Sequence, residues 1–135
     1  MAALIYPTAR DAFARGEIDW EGDSFLVVLT ESAYALNPTH EFRSEVTDVL
    51  ATEDLAGMTV IGNGVCDADD VAVPGVTAAE TVARVIICTD TGSSATDRLV
   101  YATDVHTDGT PISRVSDGNP IVVSWSNGPG RIFQL

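Results

Sequence analysis

The sequence predicts a mainly β protein: an antiparallel β-sandwich or barrel-like domain with one or two short helices in the N-terminal third. Three observations predict it. From Met58 onward, short apolar runs ("MTVI", "DVAV", "VARVIICT", "DRLVYATDV", "PIVVSWS") recur between turn residues. Asn63-Gly64 stands between two of these runs and is the strongest short-range hairpin signal. In "PIVVSWS", Ile121, Val123 and Trp125 alternate with Val122, Ser124 and Ser126, which gives a strand one apolar face and one more polar face. At 135 residues the chain fits a single domain, 1–135, that can bury about 70% of its unfolded surface.

Taken in order, "YPTARDAFARGEIDW" predicts a short helix. Pro7 suits its first position, Ala9, Ala12 and Phe13 share a face, and Gly16 suits the position just past its end. "SFLVVLTES" is a continuous apolar run rich in β-branched residues, which predicts a central strand buried on both faces. In "NPTHEFRSEVTDVLA", Phe42, Val46, Val49 and Leu50 fall at helical spacing behind a Thr39 that suits a cap, so a second helix is expected there. Thr47 and the two valines fit a strand equally well. The last third continues as strands, with turns at "HTDGT", "SDGN" and Asn127-Gly128 before "RIFQL".

The net charge is −13, from 20 acidic residues against 7 basic ones. That field repels phosphate backbones and anionic membranes, so neither nucleic acid nor a membrane is expected as a partner. "MAALIYPTAR" lacks a basic segment leading into a sustained apolar run, and the longest apolar runs are too short to span a bilayer. The expectation is a protein neither secreted by a standard signal nor inserted in a membrane. Cys66 and Cys88 sit singly on apolar stretches and read as two buried thiols, with a disulfide between them as the alternative.

Several stretches invite a chemical reading. "VIICTDTGSSATD" places Asp90-Thr91-Gly92 behind an apolar strand and resembles the catalytic loop of pepsin-like and retroviral aspartic proteases. Those enzymes need two such carboxylates sharing a proton, and here there is one copy. The supporting apolar-apolar-Gly element has only Val60-Ile61-Gly62-Asn63 as its counterpart, upstream and in the wrong order. Ordinary turn chemistry explains the same residues. In "CDADDV", Asp67, Asp69 and Asp70 begin like a calcium loop, but Val71, Ala72 and Ala78 stand where a ligand, Gly and Glu are required. His40 and His106 are isolated, Ser124 and Ser126 lack a nucleophile elbow, and "GNG" lacks the Lys and helix of a phosphate loop. No catalytic residue, cofactor or metal is expected.

The order of "ARDAFARGEIDWEGDSFLVVLTES", "THEF", "GNGVCDADDV", "VIICTDTGSSATDRLVYATD" and "GTPISRVSDGNPIVVSWSNGPGRIFQL" resembles small virion-associated proteins of tailed bacteriophages. The likeness spans nearly the whole chain. Its most specific parts are the aspartate-rich hairpin, the "DTG" loop and the closing W-x-N-G-x-x-x-I-F-x-L. It implies a non-enzymatic structural protein located in the virion and assembled in the host cytoplasm. Decorating or cementing the capsid exterior, on the major capsid protein, is the leading expectation. A head-to-tail connector or tail component bound to other virion proteins is the alternative, and a hydrolase built on Asp90 the remote one. Leu4, Ile5 and Tyr6 near one end and Ile132, Phe133 and Leu135 near the other are candidate docking residues, unless they complete the domain's own sheets. Self-assembly into a homo-oligomer, which would bury sheet edges, is a further expectation.

Overall fold

The computed structural model describes residues 3–135. Met1 and Ala2 lie outside the described residues. The elements in chain order are β1 (Leu4–Ile5), α1 (Pro7–Ala14), β2 (Phe25–Thr30), β3 (Val49–Leu55), β4 (Thr59–Gly62), β5 (Val65–Asp67) and β6 (Val71–Val73). They continue with β7 (Thr81–Val82), β8 (Arg84–Thr89), β9 (Leu99–Thr103), β10 (Arg114–Val115), β11 (Ile121–Val123) and β12 (Phe133–Gln134). The protein is mainly β, with antiparallel sheets and one short helix near the N-terminus, and no closed barrel forms among the described residues.

The principal sheet has five strands in the order β1-β9-β8-β2-β3. Its middle follows from the apolar runs: β8, β9 and most of β2 are buried on both faces, as the "FLVVL" and "VIIC" runs predict. Residues paired across antiparallel strands share a face, so Val27, Ile87 and Tyr101 line one side and Val28, Ile86 and Ala102 the other. A bulge inserts Val100 between Tyr101, paired with Ile87, and Leu99, paired with Cys88. The Val100 carbonyl accepts the Tyr6 N–H at 3.0 Å, which turns the chain out of β1 into the helix.

Against the Tyr101 side lies a three-stranded sheet, β12-β5-β4. Phe133 of β12 stacks on Tyr101 with centroids 5.7 Å apart and meets Trp20 edge-on at 5.2 Å. Trp20 in turn packs on Phe25 at 4.7 Å, and Phe13 of α1 reaches Phe133 at 6.3 Å. This aromatic cluster joins the sheets into one core, and truncating Phe133 to Ala in such a site costs about 3–5 kcal/mol. Two short antiparallel pairs, β10-β7 and β11-β6, complete the sheets.

The helix and the hairpin form as their local signals dictate. Pro7 opens α1, Ala9 and Ala12 face inward, and Gly16 follows the end at φ +73°. Asn63 and Gly64 both take positive φ, 54° and 76°, as a tight two-residue turn between β4 and β5 requires. The expected second helix is absent. Arg43–Glu45 make a single 3-10 turn and Val49–Leu55 become β3. The reason is tertiary: the Arg43 and Ser44 N–H groups donate to Asp97 and Ser94 carbonyls, and the Glu41 carbonyl accepts from Leu99, so this backbone is spent on a neighbouring loop. Thr39, the expected cap, gives its N–H and hydroxyl to the Asn37 side chain instead. "VARVIICT" also divides: the Ala83 N–H reaches the Thr30 carbonyl, separating β7 from β8.

Candidate docking surface

The "DTG" loop is organised by a residue the sequence reading passed over. Asp97 is buried, and its Oδ1 accepts the Thr91 N–H at 2.6 Å and the Thr91 hydroxyl at 2.7 Å. Its Oδ2 accepts Arg43 Nε at 2.7 Å. Burial alone would raise this carboxyl, but the Thr91 donors and the Arg43 guanidinium outweigh it and hold it below the usual carboxylate range. Asp90 closes the turn by accepting the Gly92 N–H at 3.2 Å. It borders a hollow of about 280 Å³ with Glu17 and Asp23. Both neighbours have other partners: Glu17 pairs with Arg98 at 3.2 Å, and Asp23 accepts the Asp19 N–H at 2.9 Å.

The aspartate-rich hairpin serves as a clamp for the two tryptophans. Trp20 Nε1 donates to the carbonyls of Thr59 and Asp67, at 3.1 and 3.0 Å. Trp125 Nε1 donates to the Asp69 carbonyl at 3.0 Å, and the Trp125 N–H to Asp70 Oδ1 at 2.9 Å. Asp67 Oδ2 lies 3.8 Å from Arg131 Nε. Among the described residues, no three or more His, Cys, Asp or Glu side chains converge to hold a metal ion. His40 Nδ1 lies 3.0 Å from the Tyr34 hydroxyl, which sits 3.3 Å from the buried Tyr6 hydroxyl. His106 is exposed, on the loop after β9. Ser126 Oγ accepts the Gly128 N–H, a turn contact. Cys66 and Cys88 are free and buried. No described helix is long and apolar enough to cross a membrane.

The candidate docking residues divide. Leu4 and Ile5 pair with Ala102 and Tyr101 at the edge of the large sheet, and the Tyr6 side chain is buried. Ile132 and Phe133 are buried in the core, so these side chains complete the domain's own sheets, while Leu135 stays exposed. Other apolar side chains stand further out: Val122 is 63% exposed, Val115 59% and Ile61 57%, with Val49 and Val60 next. Every one of these five sits on a strand that lacks a strand partner on one side, although on β4 the Val60 N–H donates to Glu21 Oε2 at 3.0 Å. Val49 is on β3, the outer strand of the large sheet, Val60 and Ile61 on β4, Val115 on β10 and Val122 on β11.

Between the large sheet and the C-terminal strands runs an open groove of about 480 Å³. Leu29, Val85 and Tyr101 contribute from the sheet, and Ile121, Trp125 and Ile132 from the C-terminal segment. His106, Arg114 and Arg131 also line it, and no described lining residue is Asp or Glu. Arg131 holds its place with φ at +46° and Nη1 donating to the Asn127 carbonyl at 2.9 Å. Arg114 makes no ion pair among the described residues. The only foretaste of this groove in the sequence was the alternation of "PIVVSWS". Its other walls come from β2, β8, β9 and the loop after β9, remote in sequence.

Fold and surface together define a mainly β domain of antiparallel sheets with several strands that have no strand partner on one side. No family model, no curated protein and no solved structure matches the chain.

Proposed function

We propose that this protein is a non-enzymatic structural component of a tailed-phage virion, decorating the capsid exterior through its free strand edges. One observation carries the reading: the most exposed apolar side chains on strands all lie on strands with an open edge. Open apolar edges are a liability in an isolated protein and an asset in one that is covered on assembly. The likeness of the aspartate-rich hairpin, the "DTG" loop and the closing W-x-N-G segment to phage virion proteins supports the setting. The carboxylates nearest to a catalytic pattern act as turn and core acceptors, which suits a scaffold. A protein that binds the assembled lattice in preference to free subunits stabilises the shell by mass action.

Quantitative mass spectrometry of gradient-purified particles tests this. Copy numbers near that of the major shell protein are expected. A few copies per particle would replace decoration by a head-to-tail connector or tail component, and absence from particles would refute the virion reading. Casein cleavage at acid pH by the wild type but not by Asp90→Asn would overturn the non-enzymatic reading.

A further inference from the structure

We infer that the groove between the large sheet and β11 binds an extended peptide segment of a different protein, one in which apolar residues flank a carboxylate. This goes beyond the virion reading, because it concerns the chemistry of the partner and holds for any setting. The volume, about 480 Å³, falls within the roughly 300–1,000 Å³ of ligand sites, and the sheet side of the groove is apolar.

Charge points to the carboxylate. The chain carries 20 acidic residues against 7 arginines, close to three acids for each cation. The groove lining inverts that ratio: Arg114 and Arg131 line it without a described Asp or Glu, and of the two only Arg131 has a carboxylate at ion-pair distance, Asp67 at 3.8 Å. Arg114 is exposed and has no carboxylate within ion-pair distance among the described residues; its charge reaches Asp117 three residues on, and a ligand carboxylate that contacts the guanidinium directly has the stronger hold.

Strand edges point to an extended peptide. β10 and β11 each pair on one side only, with β7 and β6, and both contribute residues to the groove. An added strand satisfies their open N–H and C=O groups and places alternate side chains into the groove and out of it. An alkyl carboxylate fills the apolar volume but leaves those backbone groups bare. A second copy of this chain brings another −13, whose repulsion acts over the screening length of about 8 Å at physiological salt.

The test is selection of random eight-residue peptides displayed on particles against the intact protein, followed by titration of the selected peptides into ¹⁵N-labelled protein. Selected peptides should alternate apolar residues with at least one Asp or Glu. They should shift the amide signals of Val115 and Val122 and the Trp125 indole. Arg114→Gln should weaken binding about fivefold, the upper end for a partly exposed ion pair, while leaving the free protein's spectrum otherwise unchanged. N-methylating alternate peptide amides should abolish binding, since a strand partner needs them. Failure to select any peptide, equal binding by Arg114→Gln, or indifference to N-methylation would overturn the proposal. So would decanoate binding in the groove where peptides fail, or dimerisation that shifts the same signals. None of these results bears on particle abundance, so the two readings fail separately.

Discussion

Replacing Asp97 by Asn removes one charge from the buried centre of the "DTG" loop and keeps the side chain's size. The carboxylate accepts three bonds, two from Thr91 on one oxygen and one from Arg43 on the other. An amide has one acceptor oxygen, so either the Thr91 donors or Arg43 must face an NH2 group. Breaking a buried ionic pair by removing one partner costs about 3–5 kcal/mol. The Arg43 side chain is 24% exposed, and water recovers part of the loss there, which places the cost at about 3 kcal/mol. In a domain of this size that lowers Tm by about 10 °C.

The assay is urea unfolding followed by tryptophan fluorescence, on wild type and variant, from pH 7 down to pH 2. The folded Asp97 carboxyl titrates below its ordinary value of 3.8. Its contribution is therefore complete above the unfolded pKa and fades as pH falls through the folded one. The other carboxylates are common to both proteins, so the difference between the two curves reports Asp97. The two stabilities should begin to converge as pH falls below about 4 and go on converging toward pH 2. A difference under about 1 kcal/mol at pH 7, or one that persists undiminished to pH 2, would refute the assignment.

Two further outcomes are expected. Burial pushes the Cys66 thiol up to about 11 and the Cys88 thiol up to about 12, so neither should react with Ellman's reagent at pH 8 until urea unfolds the protein. Rapid reaction of either thiol in the native protein would contradict the packing around it. Tyr34→Phe takes from the buried Tyr6 hydroxyl its only hydrogen-bond partner among the described residues and should cost about 1–3 kcal/mol in thermal unfolding. Tyr6→Phe deletes the stranded group itself and should cost less, and the opposite order would refute the arrangement.

What was legible in the sequence is what neighbouring residues decide. Pro7 and Gly16 bracket a helix, Asn63-Gly64 demands positive φ, and "FLVVL" has no polar residue to show to water. The segment around Phe42 misled because its helical spacing is genuine, but the Arg43 and Ser44 N–H groups find acceptors 54 and 50 residues away in the chain. Asp97 escaped notice for the same reason: Arg43 lies 54 positions from it, and nothing in "SSATD" marks the aspartate as buried. The groove was invisible because it is assembled from six separate segments, and its want of acidic side chains appears only once they meet.

The partner choices in the two sheets also set when this chain can fold. Leu4 pairs with Ala102, Phe25 with Thr89, and Cys66 with Phe133, so the ladders close loops of many tens of residues before they return any energy. High contact order of this kind places folding in the millisecond-to-second range. A ribosome that has made everything up to Val123 still holds an unfinished core, because the ring that ties Trp20, Tyr101 and Phe13 together is Phe133. Native structure should therefore arrive in one late step, with little for a chaperone or protease to recognise as a folded half.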